Sequence, residues 1–245
     1  MDHSAHTDAE LWRSAEGVAA WQEAARLEEP NRAGHRRFMA RLLPLPEREP
    51  STFLDLGAGT GAASRAILDQ HPRSTAILAD FSAEMMRAGA GEMERFAGRY
   101  RYVEFDLSAG GRWPEAIPAA LDAVVTSMCV HHLPDDRKRS LFAEIFGHLV
   151  PGGWYLNYDP VRADDPVVEA TWQRVDALDN PEAAARRQHP TPLERERWEH
   201  HLRHIAPLGR QLEYLRSAGF EGIDVYFKRL QNVIYGGRRP ASPAG

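Results

Sequence analysis

At 245 residues, 43% of them hydrophobic, the chain is long enough for one α/β domain with a substantial core and some decoration. It has no apolar run near the ~20 residues of a membrane helix and no basic-then-apolar leader, and its net charge of −5 speaks against a protein built to grip nucleic acid. The single cysteine, Cys129, excludes an internal disulfide framework and fits a reducing cytoplasm.

Residues 9–28 read as a helix with Leu11, Trp12, Ala15, Val18 and Ala19 on one side, and residues 33–43 as a second helix stopped by Pro44 and Pro46. Residues 1–48 are therefore expected to lie on or over the core as cap helices. From Thr52 the pattern becomes strand, helix, strand. Phe53–Leu56 runs into Gly57-Ala58-Gly59-Thr60-Gly61, and helix-like Ala62–Leu68 follows. Further strands are expected at Thr75–Asp80, Tyr100–Asp106, Leu121–Thr126 and Trp154–Tyr158. A helix with Leu141, Ile145 and Leu149 precedes the last of these, and Pro151-Gly152-Gly153 forms the turn between them. Such alternation implies a parallel sheet covered on both faces. Residues 160–207, with six prolines and many arginines, break the rhythm and read as an inserted helical cap rather than a second domain. A helix through Leu208, Leu212 and Leu215 then stops at Gly219. Gly222–Lys228 and Leu230–Tyr235 follow as an antiparallel pair, and the Gly- and Pro-rich tail from Gly236 is expected to fray at its end. The whole reads as a single domain, with 50–160 as its ligand-binding core and 208–245 as a closing helix and hairpin.

A buried strand that ends in an acid, then glycines at alternate positions, then a helix start, is a ligand-binding turn. No Cβ blocks approach, and the free N–H groups of the helix face the ligand. Gly57, Gly59 and Ala62 would also fit a dinucleotide pattern. Asp55, two residues before Gly57, argues against it, because a pyrophosphate needs no anion beside it. A carboxylate there suits a ligand carrying positive charge, such as the amino-acid end of S-adenosylmethionine. Asp55, Asp80 and Asp106 each fall at the C-terminal end of an expected parallel strand, where open α/β sheets bind ligands. One adenosyl ligand uses all three: Asp80 accepts both ribose hydroxyls, Asp106 accepts from the adenine amine, and Asp55 orients the ammonium directly or through water. Phe81 and Met85 then line the adenine pocket. Any one of these acids could be a solvated turn residue; three in register with one glycine turn point to a ligand.

In the succession FLDLGAGTG, AILADFSAEMM, YVEFDLS, LDAVVTSMCVHHLPDDRK and LVPGGWYLN, the chain resembles the class I S-adenosylmethionine-dependent methyltransferases over about residues 50–160. The C-terminal AGFEGIDVYFKRLQNVIYGGRRP is similar to the hairpin that closes that fold. The resemblance implies a Rossmann-like α/β fold with a helical cap, whose seven-stranded sheet is parallel except for its last strand. It also implies cofactor contacts from Asp55, Gly57, Gly59, Asp80, Met85, Asp106, Leu107 and Ser127. Ala58 stands where many relatives carry cysteine, and it keeps the small side chain that the turn, and a cofactor contact there, require.

The segment Ser127–Pro134 leaves the fourth strand and is expected to edge the methyl group. A histidine here can take a proton from a hydroxyl near neutral pH, and Asp159, at the end of the fifth strand, is well placed to orient it. The resemblance supports this pairing, since some small-molecule O-methyltransferases use a histidine after strand four with an acid after strand five. His131 is therefore the expected base and Asp159 its orienter, while His132, Trp12 and Trp172 are expected to line the acceptor pocket, with Trp21 and Trp198 as further candidates. His-His-Leu-Pro also occurs in class I enzymes with different acceptors, so a helix-capping role stands beside the catalytic one. Cys129 reads as a small core residue. His200 and His204 share one helix face at i, i+4, a spacing compatible with a metal, but without a third ligand no metal is expected. Arg186, Arg187, Arg195, Arg197 and Arg203 read as a solvated face. Only Lys138 and Lys228 are lysines among the 30 basic residues, a bias that codon usage explains better than anion binding.

The expected function is transfer of a methyl group from S-adenosylmethionine to a small-molecule acceptor, an oxygen by the His131–Asp159 pairing. The protein is expected to be a cytoplasmic monomer or homodimer without nucleic-acid or membrane partners. The alternatives are an RNA-modifying methyltransferase, disfavoured by the acidic pI, a C- or N-methyltransferase working by proximity, a non-catalytic cofactor-binding protein, and a nicotinamide dehydrogenase, disfavoured by Asp55.

Overall fold

The structure is a computed structural model that describes residues 12–26, 28–188, 190–191, 195, 198–199 and 202–241. Seven strands form one sheet in the order β3-β2-β1-β4-β5-β7-β6. They are β1 (Ser51–Leu56), β2 (Ser74–Asp80), β3 (Tyr100–Glu104), β4 (Leu121–Ser127), β5 (Leu149–Pro160), β6 (Glu221–Arg229) and β7 (Asn232–Arg238). β1 to β5 pair in parallel, and β7 runs antiparallel to both β5 and β6, so the sheet is the one the sequence implied. The helices are α1 (Ala15–Ala25), α2 (Glu29–Leu42), α3 (Ala62–Gln70), α4 (Ala83–Met93), α5 (Asp135–His148), α6 (Pro166–Asp179), α7 (Pro181–Gln188) and α8 (Leu208–Ala218).

Side chains alternate across a strand, so each strand feeds two cores. On one face Leu54, Ile77, Val124, Tyr155 and Tyr235 pack with Leu141, Ile145 and Leu215 from α5 and α8. On the other, Phe53, Leu78, Val125, Leu156 and Ile234 pack with Met39, Ala40 and Ile67 from α2 and α3. Burial on both faces is why the central strands read as near-continuous apolar runs. The strand order reverses between β1 and β4, and it is at the C-terminal ends of the strands beside such a reversal that open α/β sheets bind ligands.

Several elements depart from the pattern. α2 begins at Glu29 with Pro30 in its first turn, where a missing N–H does no harm. It is part of the core layer rather than a loose cover, because Met39, Ala40 and Leu43 are buried; each large apolar side chain so buried stabilises by about 1.5–3 kcal/mol. On α1, Val18 and Ala25 face inward while Ala15 and Ala19 are exposed, so its inner face is not the expected one; Leu11 lies outside the described residues. Leu149 opens β5 instead of closing a helix, and Pro151-Gly152-Gly153 lie inside that strand, where a register shift opposite Leu121 and Ala123 absorbs them. β3 ends at Glu104, leaving Asp106 beyond the strand. β7 continues past Tyr235 through Gly236 to Arg238, and the last residues of the tail, 242–245, lie outside the described residues. A Cβ on Gly236 would lie 2.0 Å from the Tyr155 carbonyl oxygen, so glycine is what lets β7 close on β5.

Between β5 and α8 the insert contributes α6, capped by Asp165 and opened by Pro166, and α7; neither helix buries a residue. Val167, Val168, Leu178, Trp198 and Leu202 are exposed on this segment. Arg197, His200 and His201, together with other parts of the helix expected at 193–205, lie outside the described residues. No described helix is long and apolar enough to cross a membrane.

Candidate active site

The turn between β1 and α3 is lashed to β2: Gly57 and Ala58 both donate their N–H to the Ala79 carbonyl, at 2.8 and 3.1 Å. Gly57 has φ +67°, and a Cβ there would lie 2.0 Å from Cys129 Sγ. The first glycine therefore admits a side chain of the protein itself, from the segment after β4, where the sequence suggested open space for a ligand. Burial pushes the Cys129 thiol well above its usual range, so it packs here as a neutral group.

Asp55 is 1% exposed at the end of β1. Its Oδ2 accepts from the backbone N and hydroxyl of Ser64, at 3.1 and 2.7 Å, in the first turn of α3. Its Oδ1 is buried and has no hydrogen-bond partner. Burial pushes the carboxyl up to about 6, against the Ser64 bonds and the charge of Arg36. Asp80, the last residue of β2, accepts Gly59 N–H at Oδ2 (2.7 Å) and Ser82 N–H at Oδ1 (2.8 Å). The turn thus uses part of the capacity that the sequence assigned wholly to ribose hydroxyls. Burial raises the Asp80 carboxyl too. Asp106 is half-buried, and its Oδ1 accepts from Ser108 N–H and hydroxyl at 2.9 and 2.6 Å. Leu107 and Met85 are both buried. The Leu107 carbonyl accepts from Arg137 Nε at 2.6 Å, and Met85 N–H donates to Ser82 Oγ at 3.0 Å. Phe81 is partly exposed, with the Arg13 guanidinium 5.6 Å from its ring centre.

Beyond Ser127 the chain leaves β4 through Met128, whose φ of +57° is unusual for a side chain of that size and typical of functional turns. A short 3-10 turn, Val130–His132, follows. His131 Nδ1 lies 2.7 Å from Asp159 Oδ1, and both residues are buried. The same carboxylate accepts the N–H of Cys129 (3.1 Å) and of His131 (2.7 Å). The His132 ring lies 4.0 Å from the His131 ring. Trp12 meets His132 edge-on at 6.0 Å and Trp21 at 5.8 Å, and its carbonyl accepts the Ser82 hydroxyl. Trp172 is partly buried against the hydrophobic layer that includes Val130, Leu133 and Val161, and Lys228 Nζ of β6 lies 3.9 Å from its ring centre.

Three further groups were not legible in the sequence. Arg36 of α2 is 6% exposed; its Nη1 pairs with Glu29 at 2.6 Å and its Nε approaches Ser127 Oγ at 3.5 Å. His35 Nδ1 and the Tyr158 hydroxyl share a 2.9 Å hydrogen bond, and burial lifts that phenol to about 12. Lys138 of α5 is fully buried, with Nζ 3.2 Å from Asp135 Oδ1 and donating to the His204 carbonyl. Nothing local distinguishes these residues from other charged helix positions; only the docking of α2 and of the insert makes them special. Among the described residues no cluster of three or more His, Cys, Asp or Glu could hold a metal.

The Asp55 Oδ1 atom tests the expected cofactor. A buried acceptor with nothing to accept from calls for a donor, and the ammonium of S-adenosylmethionine supplies one where a pyrophosphate would supply only repulsion. The residues present fit that group.

A family model described as a methyltransferase domain matches residues 54–155. Trans-aconitate 2-methyltransferase from Azoarcus sp. (strain BH72) is 29% identical over 172 residues, which cover 70% of this chain and 62% of that protein. The 3-hydroxy-5-methyl-1-naphthoate 3-O-methyltransferase of Streptomyces sahachiroi is 28% identical over 113 residues, 46% of this chain and 32% of that one. The chain thus spans less than two thirds of the length of these curated relatives. Among solved structures, CalO1, a methyltransferase in calicheamicin biosynthesis in its SAH-bound form, shares the fold with a TM-score of 0.62 at 20% identity, covering 96% of this chain and 60% of that one.

Proposed function

Residues 54–155 are a methyltransferase domain of the class I, S-adenosylmethionine-dependent family, and from that premise we propose that the chain methylates an oxygen of a small-molecule acceptor. The observation that carries the reading is the buried His131–Asp159 contact of 2.7 Å just past the C-terminal ends of β4 and β5. Asp55 receives the cofactor ammonium, Asp80 the ribose and Asp106 the adenine amine, while Gly57, Ala58, Gly59, Phe81, Met85, Leu107 and Ser127 shape the surrounding wall. When bound, S-adenosylmethionine supplies a sulfonium methyl open to in-line displacement. His131, oriented by Asp159 through Nδ1, takes the hydroxyl proton of the acceptor. The rings of Trp12 and His132 meet beside it, and apolar surroundings favour a reaction in which charge disappears. The net charge of −5 and the relatives' names favour a small acceptor over RNA.

A second reading has its own support. Asp159 also bonds two backbone N–H groups, so it could serve only to shape the turn. An acceptor that is already anionic, such as the carboxylate suggested by the trans-aconitate relative, needs no base. Calorimetry with S-adenosylmethionine and NAD, followed by labelled methyl transfer to a panel of phenols, alcohols and carboxylic acids, tests the proposal. Saturable NAD binding with no response to S-adenosylmethionine overturns it.

A further inference from the structure

We propose that the cavity beside the histidine turn holds an anionic group of the acceptor, a carboxylate or a phosphate, through Arg162 and Arg203; this rests on the methyl transfer proposed above and gives the acceptor its class. The cavity measures about 330 Å³, at the small end of the ~300–1,000 Å³ usual for ligand pockets. It lies between Pro134 and Asp135 at the start of α5, Arg162 just past β5, and residues 202–206 at the returning end of the insert. Its charge is unbalanced. Asp135 is the only carboxylate that lines it among the described residues, and it already serves two cations, Lys138 Nζ at 3.2 Å and Arg210 Nη1 at 2.6 Å. Arg162 and Arg203 are exposed, and neither guanidinium has an ion pair or a hydrogen bond among the described residues. On the surrounding segments, by contrast, Arg187 is tied to Asp176 at 2.6 Å and Arg229 to Asp179 at 2.8 Å.

The wall that carries these arginines is fixed in advance. Ala206 is buried, and its carbonyl accepts the Arg162 N–H and the Gln211 amide of α8, both at 3.4 Å. Arg162 also bridges to Pro207, and the His204 carbonyl accepts from the buried Lys138 of α5. Both guanidinium groups thus stem from backbone anchored to α5 and α8, unlike the loosely covered α6 and α7. A planar fork on an anchored stem suits an anion with two or more oxygens, and little ordering is left to be done on binding. Pro134 follows His131 by three residues, at most about 10 Å of chain. A hydroxyl at His131 and an anion in the cavity therefore fit one small molecule, whose anionic group is not the atom methylated.

Three matched probes test this on the full chain: 3-hydroxybenzoate, 3-hydroxyphenyl phosphate and the neutral 3-hydroxybenzamide. Methyl transfer from labelled S-adenosylmethionine is measured for each, and calorimetry against protein saturated with S-adenosylhomocysteine gives binding where turnover is slow. One of the two anions is expected to be preferred over the amide by about 10- to 100-fold, the usual value of a charge-assisted contact, and its identity names the group. Arg162→Met and Arg203→Met are each expected to lower that preference through KM rather than kcat, Arg162→Lys to keep part of it, and the double methionine variant to abolish it. An amide bound as tightly as the anions overturns the proposal, as does a preference that survives the double substitution. So does an accompanying loss of S-adenosylhomocysteine affinity, which marks a role in the fold, or an anion that binds without being methylated or slowing methylation of the amide, which marks a separate ion site. Wild-type protein that binds no S-adenosylhomocysteine instead removes the methyltransferase reading, and anion binding to the bare chain, with and without the arginines, then reports on the cavity alone.

Discussion

Asp159 holds His131 at two points: Oδ1 lies 2.7 Å from the ring Nδ1, and Oδ2 accepts the backbone N–H of the same residue at 2.7 Å. One carboxylate thus sets both the ring and the turn that carries it. His131→Ala removes the proposed base and leaves the turn's backbone bonds in place. It is expected to lower turnover by about 100- to 10,000-fold with little change in S-adenosylhomocysteine affinity. Asp159→Asn keeps one acceptor oxygen, so its effect on turnover is expected to be smaller. Near-normal turnover of both variants on the true acceptor would remove the base from the mechanism and favour an acceptor that is already anionic.

The Asp55 carboxyl, raised to about 6 chiefly by burial, has a consequence for the free protein. A raised folded-state pKa means that the native state holds a proton the unfolded chain releases. Its contribution to stability is therefore full below the unfolded value near 3.8 and is lost as pH rises through about 6. Two units correspond to about 3 kcal/mol. Asp55→Asn is expected to melt higher than wild type at pH 7.5, with the gap closing towards pH 4, and to bind S-adenosylmethionine more weakly. Thermal denaturation across that range checks it; parallel pH profiles for the two proteins would contradict it.

Gly57→Ala combines a positive φ with a Cβ placed 2.0 Å from Cys129 Sγ. The backbone strain alone is about 1–2 kcal/mol, and the displaced thiol adds to it. Urea unfolding is expected to show a loss above about 2 kcal/mol. Gly57→Ala with Cys129→Ala is expected to recover only part, since the backbone strain remains.

Lys138 ties α5 to the returning end of the insert through the His204 carbonyl. In Lys138→Met, Asp135 keeps Arg210 at 2.6 Å, so the loss stays local. Hydrogen exchange is expected to speed up around residues 204–208 while β1, β4 and β5 keep their protection. Uniform acceleration across the sheet would mean that Lys138 supports the whole fold.

The strands and the acids Asp55 and Asp80 at the tips of β1 and β2 were legible because they follow from local composition: apolar runs, a glycine turn and a carboxylate at the strand end; Asp106 falls past the end of β3. The His131–Asp159 meeting was also accessible, since adjacent parallel strands bring their C-terminal ends together. Hidden from the sequence were contacts that exist only after docking. Cys129 fills the space at Gly57 because the chain turns sharply at Met128. Arg36 looks like its neighbour Arg37 until α2 lies on the sheet, after which one is 6% exposed and the other faces solvent. Gly236 and Gly237 resembled a loose tail because their role, close approach of β7 to β5, has no signature in their own neighbourhood.

α6 and α7 bury none of their residues. Apart from Trp172, which packs partly buried against one hydrophobic layer, substitutions along them touch neither layer, so most of this stretch can change under selection for a different acceptor with little toll on folding. The residues proposed to hold the cofactor have no such freedom, because Asp55, Asp80 and the glycine turn are bonded into the sheet itself. Novelty in what this architecture methylates can therefore accumulate on its rim while its donor chemistry stays fixed at the centre.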